Sequence, residues 1–334
     1  MSESCAGLGT GLLATRSAVA RAHVGNTIVR GIEASESNPA LMHWLRQLFL
    51  YADSDVDDHS SMPFIGCHEM DLWIGGFPCQ PWSASGALGQ EDDPRHISCT
   101  SLERIISIFR PKIFVLENVE GYKQFWLDKL VPILHAAGDS THDTIIDARE
   151  WVPQSRNRFY MVAIDSRALP NVEVASLLPV EPASVPTKTL QSIVDDSGLS
   201  WKSVECGSTM RKGTVWQRNF AKATALATKT FHEDASVKYV CADMGSSKSR
   251  FHGSTVVPCI TVARATCGRL WLFSRDGRLA QLTTTALGML QGFNKSDQRA
   301  MRRHMTEVAM RRGFGNAMCK VIVEEIAVRC LQHL

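Results

Sequence analysis

The feature that most constrains this chain is an alternation of apolar, β-rich runs with helix-patterned stretches across its first 165 residues. A Gly-rich turn at 5–11 opens into GLLATRSAVARA (11–22), which has helix-forming composition. TIVRGIEAS (27–35) is a short β-branched run that carries an acid near its end. SNPALMHWLRQLF (37–49) reads as a helix, with Ser37 or Asn38 as cap and Pro39 in the first turn. MDLWIGGFPC (70–79) is an apolar run ending in a Gly-Pro turn. SLERIISIFR (101–110) has apolar residues at 102, 105, 106 and 109, a helical spacing. PKIFVLENV (111–119) and RFYMVAID (158–165) read as buried strands. Alternation of this kind predicts an α/β fold built on a parallel, doubly wound sheet. Such sheets place their sites at the C-terminal ends of the strands.

The pattern changes after residue 165. Pro170, Pro179, Pro182 and Pro186 interrupt it, so 166–200 reads as a linker or crossing segment. Residues 201–278 show no clear helical period and read as short strands and loops. From Leu279 the text turns helical: LAQLTTTALGMLQGF (279–293), SDQRAMRRHM (296–305) and GNAMCKVIVEEIAVRCLQHL (315–334). The 334 residues suit two domains, or one with an insertion. The expected division is a first domain at 1–165, the linker, a smaller mostly β and loop region at 201–278, and C-terminal helices at 279–334 that return to the first domain.

Charge follows the same boundaries. Residues 201–278 carry 13 Lys or Arg against 5 Asp or Glu, while the remainder carries 23 against 29. The basic region also holds Trp201, Trp216, Phe220, Phe231, Tyr239, Phe251 and Trp271. Basic residues interleaved with aromatics suit a surface that meets phosphates and bases, although charge alone equally describes a solvated face. With 44% hydrophobic and 21% charged residues, a disordered or fibrous chain is excluded. No run approaches 18 apolar residues, so no membrane span is expected, and the first residues do not read as a secretory signal. Ten cysteines include no Cys-x-x-Cys pair, which argues against structural zinc and for a reducing, intracellular compartment.

Four short motifs fall at predicted strand ends. Cys5-Ala6-Gly7-Leu8-Gly9-Thr10-Gly11 begins a helix, and its glycines allow close backbone approach to a ligand. Glu33 follows at the end of the next predicted strand, where a carboxylate can bind ribose hydroxyls. Gly75-Gly76-Phe77-Pro78-Cys79-Gln80-Pro81-Trp82-Ser83 places a cysteine in a tight turn after a strand. A thiolate exposed there is a nucleophile, and a buried structural cysteine is the plain alternative. Glu117-Asn118-Val119 puts a carboxyl where it can exchange a proton with a bound group. In Gln154-Ser155-Arg156-Asn157-Arg158 the two arginines, two apart on an extended segment, point to the same side. Each motif alone is also compatible with a structural role.

Taken in order, the motifs resemble the cytosine-5 DNA methyltransferase family over nearly the whole chain. Leu290-Gln291-Gly292-Phe293, Gly315-Asn316 and the Asp93-Pro94-Arg95 that closes the loop after Cys79 extend the likeness. The resemblance implies a Rossmann-like methyltransferase sheet with a smaller target-recognition domain at 201–278. It implies S-adenosylmethionine as cofactor, met by Cys5, Gly7, Gly9 and Gly11, with Glu33 at the ribose. Asp53 (or Asp55) would meet the adenine, and Pro78 and Asn316 would complete the site. Cys5 stands where the family usually carries Phe. The implied chemistry is attack of Cys79 on C6 of a flipped-out cytosine, with Gln80 beside it. Glu117 would hold N3 and the amino edge, and Arg158 with Arg156 the carbonyl. Ser83, Arg95, Arg211, Lys212, Arg218 and Arg250 are the candidate DNA contacts, and the helix QRAMRRHM (298–305) with Arg311 and Arg312 offers either further phosphate contacts or a solvated face. The partner is double-stranded DNA; no metal and no membrane are expected, and the length favours a monomer. The compartment would be the nucleus in a eukaryote, or the cytoplasm in a bacterium or phage host. Two other readings stay open: a tRNA cytosine-5 methyltransferase on the same fold, and a catalytically silent DNA-binding member. The tRNA branch typically carries a Cys-Phe-Thr signature, absent from 201–278.

Overall fold

The computed structural model describes residues 2–4, 8–22, 31–35, 39–53, 70–77, 79, 81–82, 92, 110–178, 188–205, 213–247 and 251–334. For 2–4, 31–35, 39–40 and 50–53 it describes the backbone alone. The chain divides into two compact units: Met1–Asp147 with Asn157–Ala183 and Met318–Leu334, and Ala148–Arg156 with Ser184–Ala317.

In the first unit, seven strands among the described residues form one sheet in the order β3-β2-β1-β4-β5-β8-β6. They are β1 Ser2–Ser4, β2 Gly31–Ser35, β3 Phe49–Asp53, β4 Leu72–Gly76, β5 Ile113–Asn118, β6 Asp139–Asp147 and β8 Asn157–Asp165. The pairs from β3 through β5 are parallel, as the alternation predicts. β8 is antiparallel to both β5 and β6, so the sheet is mixed rather than wholly parallel. β5 is buried along its length and β8 through its middle, which is why both read as continuous apolar runs. β6, DSTHDTIID, is a polar edge strand and gives no such signal.

Helices α1 Thr10–Ala22 and α2 Pro39–Leu48 sit where the sequence predicts them. The predicted helix at 101–109 lies outside the described residues. A short α3, Val131–Ala136, precedes β6. The C-terminal helix α10, Lys320–Leu331, packs on α1: buried Lys320 donates to Ser17 Oγ at 2.9 Å, and Arg21 pairs with buried Glu325 at 2.5 Å. An aromatic cluster packs against the middle of the sheet. Trp73 and Phe114, directly opposite on β4 and β5, stack at 4.3 Å between ring centroids.

The second unit differs from expectation. Its antiparallel sheet runs β11-β10-β13-β14-β9, from Gly253–Ser254, Tyr239–Asp243, Leu270–Ser274, Arg278–Gln281 and Lys202–Ser203. A 20-residue helix covers it, Thr214–Glu233, where only strands and loops are expected. Phe220, Ala223 and Ala227 of that helix pack on Val240, Ala242 and Phe273. With α4 as Leu190–Ser197, this helix is α5, followed by α6 Val262–Thr266, α7 Thr284–Leu290, α8 Lys295–Arg302 and α9 Glu307–Asn316. Residues 279–281 continue β14 rather than opening α7. Helices α7 to α9 belong to this unit; of the C-terminal helices, α10 alone returns to the first. A short parallel pair joins β7 Gln154–Ser155 to β12 Val257–Pro258.

Candidate active site

Five parallel strands end at one edge of the first sheet, at Ser4, Ser35, Asp53, Gly76 and Asn118. β8 runs the other way, so its first residues arrive at that same edge. This explains why Arg158 opens its strand whereas Glu117 and the cysteine turn come at the ends of theirs.

Cys79 lies three residues past the end of β4 and is partly exposed. Its turn is closed by Trp82 N–H donating to the Cys79 carbonyl at 3.2 Å. Trp82 is buried, packed edge-on to Tyr122 at 5.4 Å and against Phe125 at 5.0 Å. Tyr122 follows the Glu117-Asn118-Val119 strand end through a turn in which Tyr122 N–H donates to the Val119 carbonyl at 2.9 Å. The Cys79 turn and the end of β5 are thereby packed on one another. Gly121 secures this: a Cβ there would run into the Trp82 carbonyl.

Glu117 is buried at the end of β5, opposite Gly76 on β4 and Tyr160 on β8. Gly76 gives its side chain room: an added Cβ would stand 3.6 Å from Glu117 Oε2 and 3.4 Å from Met318 Cγ. Arg158 Nε lies 3.1 Å from Glu117 Oε1, with side chains only 14% and 8% exposed. Screening by water is weak there, so the pair couples more strongly than a surface one. Asn118 is buried and its Oδ1 accepts from Val119 N at 2.8 Å.

Exposure separates the cysteines. Burial pushes the Cys241 thiol up, and the Cys330 thiol up to about 12. Cys319 is buried as well. Partly exposed Cys259 lies in the second unit with its Sγ 3.4 Å from an Arg156 amino group, and Cys267 is exposed there. Among the described cysteines of the first unit, only Cys79 is not buried.

The two arginines of the Gln154–Arg158 motif part company. Arg156 does not point with Arg158: it is buried in the second unit, donating to the Ala317 carbonyl at 2.7 Å and the Ile260 carbonyl at 3.3 Å. The alternation rule fails because β7 ends at Ser155 and β8 starts at Asn157, so Arg156 sits in a break between strands. Gln154 is also structural, donating to the Leu290 carbonyl at 2.8 Å and accepting from Ile260 N–H at 2.9 Å. Arg218 is likewise tied down, on the Ser246 carbonyl at 2.7 Å and the Asn219 side chain at 3.0 Å.

For the expected cofactor contacts, Gly9 closes the turn into α1 with φ +68°, a left-handed value that favours glycine, and its carbonyl accepts the Leu13 N–H at 3.0 Å. Gly11 lies in the first turn of α1. Asp53 is the last residue of β3, and Glu33 lies within β2, two residues before its end. Asn316 ends α9 in the second unit. Cys5, Gly7, Asp55, Pro78, Gln80, Ser83, Arg95, Arg211, Lys212 and Arg250 lie outside the described residues. The positioning roles of Gly121, Trp82 and Tyr122 are not apparent from the motifs; a glycine three residues past Asn118 is their one sequence signal. No group of His, Cys, Asp or Glu among the described residues could hold a metal, and no described helix is long and apolar enough to cross a membrane.

A Rossmann-like sheet carrying a glycine turn, a cysteine loop and a strand-end Glu–Arg pair on one edge defines a methyltransferase fold. The sequence matches the C-5 cytosine-specific DNA methylase family over residues 3–332, and the chain belongs to that family. It is 31% identical over 152 residues to the type II methyltransferase M1.ScrFI of Lactococcus lactis subsp. cremoris, covering 43% of this chain and 36% of that protein. It is 32% identical over 114 residues to the type II methyltransferase M.NlaX of Neisseria lactamica, 33% of each. The chain thus spans about a third of the length of these curated relatives. Its fold is similar to that of the Entamoeba histolytica methyltransferase EhMeth, with TM-score 0.59 and 16% identity over 98% of this chain and 96% of that one. It is also similar to the S. pombe Dnmt2 methyltransferase, with TM-score 0.55 and 15% identity over 99% and 98%.

Proposed function

We propose that this protein methylates C5 of cytosine in duplex DNA, using S-adenosylmethionine and a transient bond between Cys79 and C6. The observation that carries the reading is the packing of the Cys79 turn against the end of β5, where Glu117 meets Arg158. A cytosine within a duplex hides its reactive face, so the base is flipped out to reach this edge. Glu117 takes the N3 and amino edge and Arg158 the O2 carbonyl, so their mutual contact is exchanged for contacts with the base. Cys79 adds as thiolate to C6, and the electron pair moves to C5, which then takes the methyl group. Loss of the C5 proton and departure of the Cys79 sulfur restore the ring. Arg156 holds its segment in place rather than touching the base.

The chain's residues fit the cofactor. The left-handed Gly9 turn brings the start of α1 to the active edge, where first-turn N–H groups suit a carboxylate. Cys5, Gly7 and Gly11 are the proposed companions of Gly9 in meeting the cofactor, Glu33 and Asp53 are proposed to supply carboxylates for ribose and adenine, and Pro78 and Asn316 are further candidate contacts. When bound, the cofactor supplies an electrophilic methyl group on a sulfonium. Ser83, Arg95, Arg211, Lys212 and Arg250 are the proposed DNA contacts.

The test is methyl transfer from radiolabelled S-adenosylmethionine to mixed-sequence duplex DNA or to total tRNA, with Cys79→Ala as control. Label recovered as 5-methylcytosine in DNA, and lost in the variant, is the expected result. Label in tRNA alone would move the substrate to RNA. Duplex binding without label in either nucleic acid would make the protein a silent DNA-binding member.

A further inference from the structure

We infer that the outer face of α8, with Arg299 and Arg303, is a second phosphate-binding surface that grips the backbone of duplex DNA, to which the exposed Arg312 of α9 adds a further contact. The inference rests on the proposed function and assigns to it residues outside the basic 201–278 region.

α8 is held firmly. Asn294 and Asp297 form a reciprocal capping box at its start. Met301 and Gln298 are buried on its inner face, and Gln298 Nε2 donates to the Thr285 and Phe293 carbonyls, each at 3.2 Å. The outer face divides its charges unevenly. Lys295 pairs with Asp196 at 2.7 Å, and Arg302 pairs with Glu307 at 3.1 Å while donating to Thr285 Oγ1 at 2.7 Å. Arg299, Arg303 and Arg312 are exposed and make no ion pair with any described residue.

Across 295–312 there are six Lys or Arg and two acids. Both acids are committed, Asp297 to the cap and Glu307 to Arg302. Arg299 and Arg303 stand one helical turn apart, so their side chains are neighbours and repel each other. Folding gains nothing from that juxtaposition. A partner with closely spaced anions does, and the arginine fork matches phosphate oxygens two at a time. A capped, anchored helix also presents the pair with little left to order on binding. Regularly spaced phosphates along a strand are the occupant this charge pattern fits.

The test measures binding of a fluorescent mixed-sequence duplex across about 50–200 mM salt, the range over which phosphate contacts are lost most visibly. Arg299→Gln with Arg303→Gln keeps helix propensity and removes the charge. Each lost phosphate contact lowers the slope of log K against log salt by about 0.9. The double variant is expected to lose about 1.8 from the slope, and adding Arg312→Gln about 0.9 more. Arg299→Lys with Arg303→Lys is expected to keep the parental slope. Circular dichroism and thermal melts check that the helices are intact. A parental slope in the Gln variants, with the parent binding DNA, overturns this surface and leaves the proposed function standing. A parent that neither binds nor methylates duplex DNA overturns both. An equal loss of binding to polyglutamate, with DNA binding unmoved, would reassign the face to an acidic protein.

Discussion

The main-chain carbonyl of Trp82 occupies the space that a Cβ on Gly121 would fill. Two loops that leave neighbouring strands, one carrying Cys79 and the other following Glu117, meet backbone to backbone at that point. Gly121→Ala therefore cannot be absorbed by turning a side chain; one loop has to move. Overpacking of this sort costs about 1–3 kcal/mol. The expected outcome is a drop of that size in urea-unfolding stability together with a fall in kcat beyond tenfold, as the thiol and carboxylate lose register. Parental kcat in a folded Gly121→Ala variant would show that the loop contact does not set the site.

The Glu117–Arg158 pair makes a double-mutant cycle informative. Removing one partner of a largely buried pair leaves the other charge unmatched, at about 3–5 kcal/mol where burial is complete. Arg158→Ala is expected to destabilise more than Arg158→Ala combined with Glu117→Gln, because the second change removes the stranded carboxylate. Glu117→Gln alone is expected to lower single-turnover methylation by about 10²–10⁴, the range for a lost proton-transfer group. Additive stabilities across the cycle would mean the two side chains act independently.

Much of this edge was readable from residue order. The Gly turn, the cysteine turn, Glu117 and Arg158 all sit at predicted strand ends, because buried strands of Val, Ile and Phe announce themselves and the turns between them carry Gly and Pro. What escaped has physical reasons. α5 holds Trp216, Phe220, Ala223 and Ala227 at helical spacing, but its many Thr and Ala residues blunt the contrast between faces. β6 is an edge strand whose polar residues mimic a loop. Leu279 and Ala280 belong to β14, yet they run without a break in composition toward α7. Arg156 departs from the alternation rule because it lies where strand pairing stops, between Ser155 and Asn157.

Arg156 should matter for stability more than for substrate contact. Its bonds to the Ala317 and Ile260 carbonyls are charge-assisted and buried. Hydrogen bonds of that kind contribute about 1.5–3 kcal/mol each. Arg156→Ala is expected to lower the melting temperature of the protein sharply, and Arg156→Lys to recover only part of it, since an ammonium lacks the planar fork. A variant with parental thermal stability but a raised KM for DNA would return Arg156 to the substrate.

Acid stability should carry the signature of Asp165. The Arg167 side chain and main-chain N–H, both donating at 3.0 Å, hold its carboxyl well below the usual range, with Arg110 adding to the effect. A depressed carboxyl contributes stability above its unfolded value near about 3.9 and loses it as pH falls toward the folded one. Asp139 is displaced the other way: burial raises it, against the pull of Arg110. It binds its proton more readily when folded, so on acidification it partly offsets the loss from Asp165. Asp165→Asn is therefore expected to flatten the decline of urea midpoint below about pH 4, and Asp139→Asn to steepen it. Parallel acid profiles for all three proteins would remove both residues from the account.

The proposed covalent step makes a demand that no binding-only reading shares. In that proposal, once Cys79 has added to C6 and the methyl group has arrived, C5 would carry both its original hydrogen and the new methyl, and the sulfur would leave only once that hydrogen departs as a proton. Fluorine at C5 cannot leave as a cation, so the sulfur stays bound. Duplex DNA containing 5-fluorocytosine at the methylated position is therefore expected to form a complex with the protein that survives denaturing electrophoresis and requires S-adenosylmethionine. Cys79→Ser should abolish the complex, since a serine hydroxyl is far less ionised near neutral pH than a thiol. The exposed Cys267 provides the control: Cys267→Ser should trap DNA as the parent does. Peptide mapping should then place the modified base on the segment containing Cys79. A trapped complex that persists in Cys79→Ser, or maps to another cysteine, would take the nucleophile away from the β4 turn.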